Sequence, residues 1–156
     1  MDRFIVKDLP LDGLKLITSK RFEDNRGFFS KIFCHEELSF FNNQKPINQI
    51  NLSFTENEGS IRGLHYQTKP YCETKIINCL RGKIFDVAVD LRPNSDTFLK
   101  YFSIELSENS NDSLLIPEGF AHGFQTLTKS VEMIYFHSMP YNENYEAGIN
   151  AFDKNS

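Results

Sequence analysis

The sequence predicts an all-β protein, an antiparallel sandwich or barrel with very little helix. Short segments of alternating apolar and polar residues recur along most of the chain, polar or Gly/Pro-containing turns separate them, and only one segment has helical spacing. Many short strands with almost no helix describe two packed antiparallel sheets or a closed barrel. At 156 residues the chain is most simply one domain, 1–156, long enough to bury a core without disulfide support.

The elements follow in order. Phe4 to Thr18 reads as short extended pieces broken at Pro10 and Gly13. A polar turn at Asp24-Asn25-Arg26-Gly27 leads into an aromatic strand and singles out Arg26. His35 to Asn43 is the helix candidate, because Glu36, Glu37, Leu38 and Phe40–Phe41 are spaced for one face. Asn48 to Phe54 alternates, with Gln49, Asn51 and Ser53 on one face and Ile50, Leu52 and Phe54 on the other, the mark of a half-buried strand. A Glu/Asn turn then leads into Gly59-Ser-Ile-Arg-Gly-Leu-His-Tyr-Gln67, followed by a loop from Thr68 to Tyr71.

Thr74 to Leu80 and Lys83 to Leu91 read as strands joined at Arg81-Gly82 by a hairpin turn. In the second, Ile84, Asp86, Ala88 and Asp90 share a face, so two carboxylates point the same way. Phe98 to Leu106 and Ser113 to Ile116 are further strands, and Pro117 to Phe124 lies between strands. Val131 to Ser138 is the last strong strand, and beyond Pro140 the chain turns polar.

Composition narrows the function. Fifteen Phe and six Tyr with no Trp suit packed sheet faces and the walls of a small-molecule pocket. A net charge of -4 and a pI near 5.6 argue against nucleic acid or an anionic membrane as a partner, since both require a dominant basic surface. Three cysteines without CxxC spacing indicate neither a disulfide framework nor a thiolate zinc site. The N-terminus lacks the apolar stretch of a signal peptide and no run approaches transmembrane length. The expectation is a soluble, cytoplasmic protein with reduced thiols.

The chemistry concentrates in Gly59 to Gln67. On a strand facing a cavity, Arg62 would fork to a phosphate or carboxylate and His65 would accept a proton near neutral pH. Lys75 opens the next strand, where lysine is ordinarily solvated; beside a bound carbonyl it would stabilise an enolate. Asp86 and Asp90 need partners if buried, with Lys75, Arg62 or His65 in view. His122 brings a second imidazole after a tight turn. Two scattered imidazoles, with Glu73 the one suitably spaced carboxylate, make a poor first shell, so no metal is expected. Tyr135 in the last strand is either a core aromatic or a phenol facing His65 across a cavity, the second half of an acid/base pair.

These pieces occur together in a known order. Asp24-Asn-Arg-Gly-Phe-Phe, Gln49-Ile-Asn-Leu-Ser, Ile61-Arg-Gly-Leu-His-Tyr-Gln, Gly82-Lys-Ile-Phe-Asp-Val-Ala-Val-Asp-Leu-Arg, Ile116-Pro-Glu-Gly-Phe-Ala-His-Gly-Phe, and Tyr135 with Tyr141 resemble the dTDP-4-dehydrorhamnose 3,5-epimerase family. The resemblance implies a cupin-like jelly roll acting on a nucleotide-linked 4-keto-6-deoxy sugar in surface-polysaccharide synthesis, with no metal or organic cofactor. It implies that His65 removes the proton beside the C4 ketone, Tyr135 reprotonates the opposite face and Lys75 stabilises the enolate. It places Arg26, Gln49, Asn51 and Arg62 at the diphosphate and nearby sugar, Tyr141 at the substrate, and His122 and Asp86 in the same cavity. It also implies a homodimer with exchanged N-terminal strands.

Departures bear on that reading. Family members usually continue past the position of Ser156 with a segment whose Asp orients the catalytic His, so His65 is expected to lack its usual partner here unless Asp86 or another carboxylate substitutes. Lys31 stands where Glu is common, and Glu73 where Gln is common. Two other readings stay open: a jelly roll that binds nucleotide sugars without catalysis, and a related isomerase that moves the keto group from C4 to C3.

Overall fold

The computed structural model describes residues 3–38 and 45–153. Among these residues thirteen strands, one short α-helix and a 3-10 helix (Glu143–Tyr145, between β12 and β13) form, in the order β1 (Phe4–Asp8), β2 (Lys15–Ser19), β3 (Arg21–Asp24), β4 (Gly27–Ser30), α1 (His35–Leu38), β5 (Gln49–Thr55), β6 (Ile61–Gln67), β7 (Lys75–Arg81), β8 (Lys83–Asp90), β9 (Tyr101–Ser107), β10 (Asp112–Ile116), β11 (Phe120–Thr126), β12 (Val131–His137) and β13 (Glu146–Gly148). A six-stranded sheet, β1-β2-β10-β7-β12-β5, packs against a five-stranded one, β13-β6-β11-β8-β9, and every pairing is antiparallel. Strands β3 and β4 form a separate hairpin. The all-β antiparallel fold read from the sequence is the fold observed, a cupin-like jelly roll.

The inner core lies between the sheets, built from Leu14, Ile77, Leu114 and Met133 on one side and Ile84, Ala88, Leu106 and Phe124 on the other. A second cluster covers the outer face of the larger sheet, where Leu38 of α1 packs with Phe4, Ile17, Ile76, Leu115 and Phe136. Phe33 stacks on Phe136 with ring centroids 5.4 Å apart. Strand β7 is therefore buried on both faces, which is why Ile76 and Ile77 are both fully enclosed.

Several expectations change in three dimensions. Arg81-Gly82 is not a hairpin turn: β7 pairs with β10 and β12, and β8 with β9 and β11, so this corner carries the chain from one sheet to the other. Gly82 fits it because φ is +80° and a Cβ would lie 2.6 Å from Thr128 Oγ1. In β5 the alternation holds, but the apolar face is the exposed one. Ile50, Leu52 and Phe54 are 58%, 68% and 51% accessible because β5 is an edge strand whose polar face turns inward. The polar stretch beyond Pro140 contains β13, which pairs with β6. The helix ends its described span at Leu38, and its expected continuation to Asn43 lies outside the described residues from Ser39 on. Pro117 to Phe124 does not lie wholly between strands: from Phe120 on it is β11, and His122 lies within that strand.

Candidate active site

Strands β5, β7 and β12 of the larger sheet and β6 and β11 of the smaller one line a cavity of about 840 Å3. That volume suits a small organic ligand. Arg62, His65, Lys75, His122, Tyr135, Asn51 and Tyr141 all reach it.

Strand β6 supplies Arg62 and His65, with Gly63 between them. Gly63 has φ +112°, and a Cβ there would lie 2.6 Å from both Gly123 Cα and His122 O. The register shift between His122 and Phe124 occurs at this contact, so β6 and β11 approach backbone to backbone where only glycine fits. Arg62 Nε donates to Thr55 Oγ1 at 2.9 Å and Nη2 to Phe54 O at 3.2 Å, tying β6 to the edge strand of the opposite sheet. His65 is exposed to the cavity, opposite His122 on one side and Gly148 of β13 on the other.

Asp86 is fully buried and its Oδ2 lies 2.7 Å from His122 Nε2. The partners expected for it, Lys75, Arg62 or His65, are therefore replaced by His122, because β11 lies between β8 and β6 and holds its histidine closer. Asp90 is also buried, but outside the cavity. It accepts from Arg92 Nε and Nη2 at 2.9 and 2.8 Å and from Ser95 and Thr97 hydroxyls at 2.6 Å each. Among the described residues no carboxylate is hydrogen-bonded to His65, so Asp86 does not substitute as its orienting group.

Tyr135 comes from the other sheet. Its hydroxyl lies 2.8 Å from Ser53 Oγ, and burial pushes the phenol pKa up against the opposing effect of that hydrogen bond. Lys75 is buried rather than solvated, 8% accessible, with Nζ 3.4 Å from Glu73 Oε1. Glu73 also receives Nδ1 of His137 at 2.9 Å. Reading the sequence for chemistry missed His137. Its signal was available, since it stands two residues beyond Tyr135 and so shares its face of β12.

Gln49 reaches the site indirectly: Nε2 donates to Asn51 Oδ1 at 3.0 Å, and Oε1 accepts from the Tyr141 amide at 2.9 Å. Tyr141 donates its hydroxyl to Glu146 at 2.7 Å. Arg26 is not brought to this cavity. It sits at the tip of the β3–β4 hairpin, paired with Asp24 at 2.5 Å and 85% exposed. Lys31 is paired with Glu37 of α1 at 2.5 Å. Among the described residues there is no cluster of three or more His, Cys, Asp or Glu able to hold a metal ion. None of their helices is long and apolar enough to cross a membrane.

A jelly roll whose cavity gathers an imidazole, a phenol and a buried lysine has the equipment of an acid/base isomerase. Its relatives are of that class. A sequence model described as dTDP-4-dehydrorhamnose 3,5-epimerase matches residues 8–156. The chain is 38% identical over 151 residues to the dTDP-4-dehydrorhamnose 3,5-epimerase of Sinorhizobium fredii, covering 96% of this chain and 76% of that one. The Bacillus anthracis dTDP-4-dehydrorhamnose 3,5-epimerase crystallised with TDP and PPi superposes with a TM-score of 0.93 at 35% identity, covering 97% of this chain and 87% of that one. The Legionella pneumophila dTDP-6-deoxy-D-glucose-3,5-epimerase in complex with dTDP-4-keto-L-rhamnose gives 0.91 at 33%, covering 96% and 79%. The chain belongs to the dTDP-4-dehydrorhamnose 3,5-epimerase family, and is an isomerase-type enzyme.

Proposed function

We propose that this protein inverts C3, C5 or both in a nucleotide-linked 4-keto-6-deoxy sugar, in the synthesis of surface-polysaccharide precursors. One observation carries the reading: His65 and Tyr135 reach the same cavity from opposite sheets. Inversion requires a proton to leave one face of a carbon and another to arrive at the opposite face, so a base and an acid must flank the sugar. His65 takes the proton beside the C4 ketone, Lys75 faces the developing oxyanion, and the neutral Tyr135 phenol delivers the new proton. Arg62, Asn51 and Gln49 hold the diphosphate and nearby sugar, Tyr141 closes on the substrate, and the buried Asp86–His122 pair forms part of the wall beside them.

The site is completed by a second copy of the chain. Arg26 lies outside its own cavity, on a hairpin with Phe28 and Phe29 62% and 67% exposed, and β5 shows an open apolar face. Exchange of N-terminal strands in a homodimer covers these surfaces and brings Arg26 to the cavity of the neighbouring subunit. A cytoplasmic location agrees with Cys34, Cys72 and Cys79 being free thiols.

Product analysis tests the reading. With a dTDP-linked 4-keto-6-deoxyglucose, NMR of the products should show an inverted centre at C3 or C5 with the carbonyl still at C4, and His65→Ala should abolish the conversion. A carbonyl at C3 would make the protein a ketoisomerase. Binding without any conversion, across several nucleotide 4-keto sugars, would reduce it to a binding protein. That last reading draws on His65 having no carboxylate partner among the described residues.

A further inference from the structure

The cavity holds a third imidazole, His137, that the assignment above leaves without a task. His137 and Tyr135 project from the same face of β12, with ring centroids 6.2 Å apart and planes 20° from parallel. Nδ1 of His137 meets Glu73 Oε2 at 2.9 Å, and the other oxygen of Glu73 lies 3.4 Å from Lys75 Nζ. In the β7–β12 register His137 stands directly opposite Lys75, which makes them neighbours on the sheet face. The side chains of Glu73, Lys75 and His137 are 8%, 11% and 12% exposed, and all three line the cavity. Among the described residues the one hydrogen-bond partner of His137 Nε2 is the Asn51 amide, at 3.4 Å, too long for a strong bond.

This arrangement changes what Lys75 contributes. Glu73 sits beside it and offsets its charge, so a developing oxyanion next to Lys75 meets a paired cation rather than a free one. The same carboxylate fixes the His137 ring through Nδ1 and leaves Nε2 for the cavity, the way carboxylates orient imidazoles elsewhere. An imidazolium in that place does what the lysine cannot do as well: it hands over a proton.

We infer that His137, oriented by Glu73, is a further catalytic residue of this enzyme, the proton donor to the substrate's C4 carbonyl oxygen. The inference rests on the reading of Lys75 as the group beside that oxygen. As His65 takes the hydrogen from the carbon next to the ketone, the C–H electron pair becomes the new C=C bond. The carbonyl π pair moves to oxygen, which takes the Nε2 proton of His137. The intermediate is a neutral enol. In the return step Nε2 takes that proton back, the carbonyl re-forms, and the C=C pair captures the Tyr135 proton on the opposite face. One proton has moved from carbon to His65 and one from Tyr135 to carbon, and exchange with solvent resets both.

A double-mutant cycle tests this, read as the rate of deuterium wash-in at C3 and C5 of a dTDP-linked 4-keto-6-deoxyglucose in D2O, with dTDP affinity measured alongside. His137→Gln should slow wash-in by about 100-fold or more while leaving the dTDP Kd within about twofold. In a Glu73→Gln background, where Lys75 is no longer offset, the same change should slow it by less than about tenfold. Wash-in by His137→Gln within about threefold of wild type overturns the inference, as does an equal factor in both backgrounds or a matching loss of dTDP affinity. A wild-type protein without wash-in removes the reading of the site and this inference with it. Wild-type wash-in that His137→Gln leaves intact removes the inference alone.

Discussion

Burial pushes two side chains of this protein in the same direction, and their neighbours decide the opposite outcomes. At Tyr135 burial dominates and the phenol is held above its ordinary pKa, so it stays protonated at neutral pH, the form a proton donor needs. At Asp90 burial also works to raise the carboxyl, but hydrogen bonds from Arg92, Ser95 and Thr97 outweigh it and hold the group well below the usual carboxylate range. Because the folded pKa lies below the unfolded one, Asp90 contributes its full stability above about pH 4, and that contribution is lost as pH falls toward the folded value. Asp90→Asn should therefore destabilise the protein by about 3 kcal/mol at pH 7 in urea unfolding. The gap to wild type should narrow progressively below about pH 4. A gap of constant size across that range would place the stabilisation in packing rather than in the carboxylate.

At the scale of elements, β6 depends on a contact that tolerates no side chain. Gly63 combines a positive φ with a Cβ position 2.6 Å from two backbone atoms of β11, neither of which swings aside as a side chain would. Gly63→Ala should lower stability by more than about 2 kcal/mol and displace Arg62 and His65 together. Thermal unfolding and turnover both report it, and a variant matching wild type in both would refute the close approach. The same elements show what a sequence reader sees. The alternation in β5 marks two faces correctly, but which face is buried depends on the strand's place at the sheet edge, a tertiary fact. Arg81-Gly82 has the chemistry of a tight corner whether the chain turns back on itself or crosses between sheets. Strand β13 is three residues, Glu-Ala-Gly, too short for a period to register.

Across the whole molecule, pairings between residues distant in the chain decided what was legible. His65, Arg62, Lys75 and Tyr135 could be singled out from residue type and motif, and the fold places all four on one cavity. The partners of Asp86 and of Glu73 could not, because His122 and His137 stand 36 and 64 positions away and meet them only through sheet order. Arg26 was legible as a residue type but not in place, since its hairpin stands clear of its own cavity. In the proposed reaction the two sheets of the jelly roll serve as its two sides: β6 would present the base and β12 the acid, with the ketone held against Lys75 between them.

That division of labour is tested most directly by deuterium wash-in from D2O into a nucleotide-linked 4-keto-6-deoxy sugar, comparing wild type with Tyr135→Phe. Wild type should place solvent deuterium on each carbon it inverts. Tyr135→Phe should still exchange carbon-bound hydrogen through His65 on one face, while inversion collapses. Wild type that leaves every carbon-bound hydrogen in place would contradict the account.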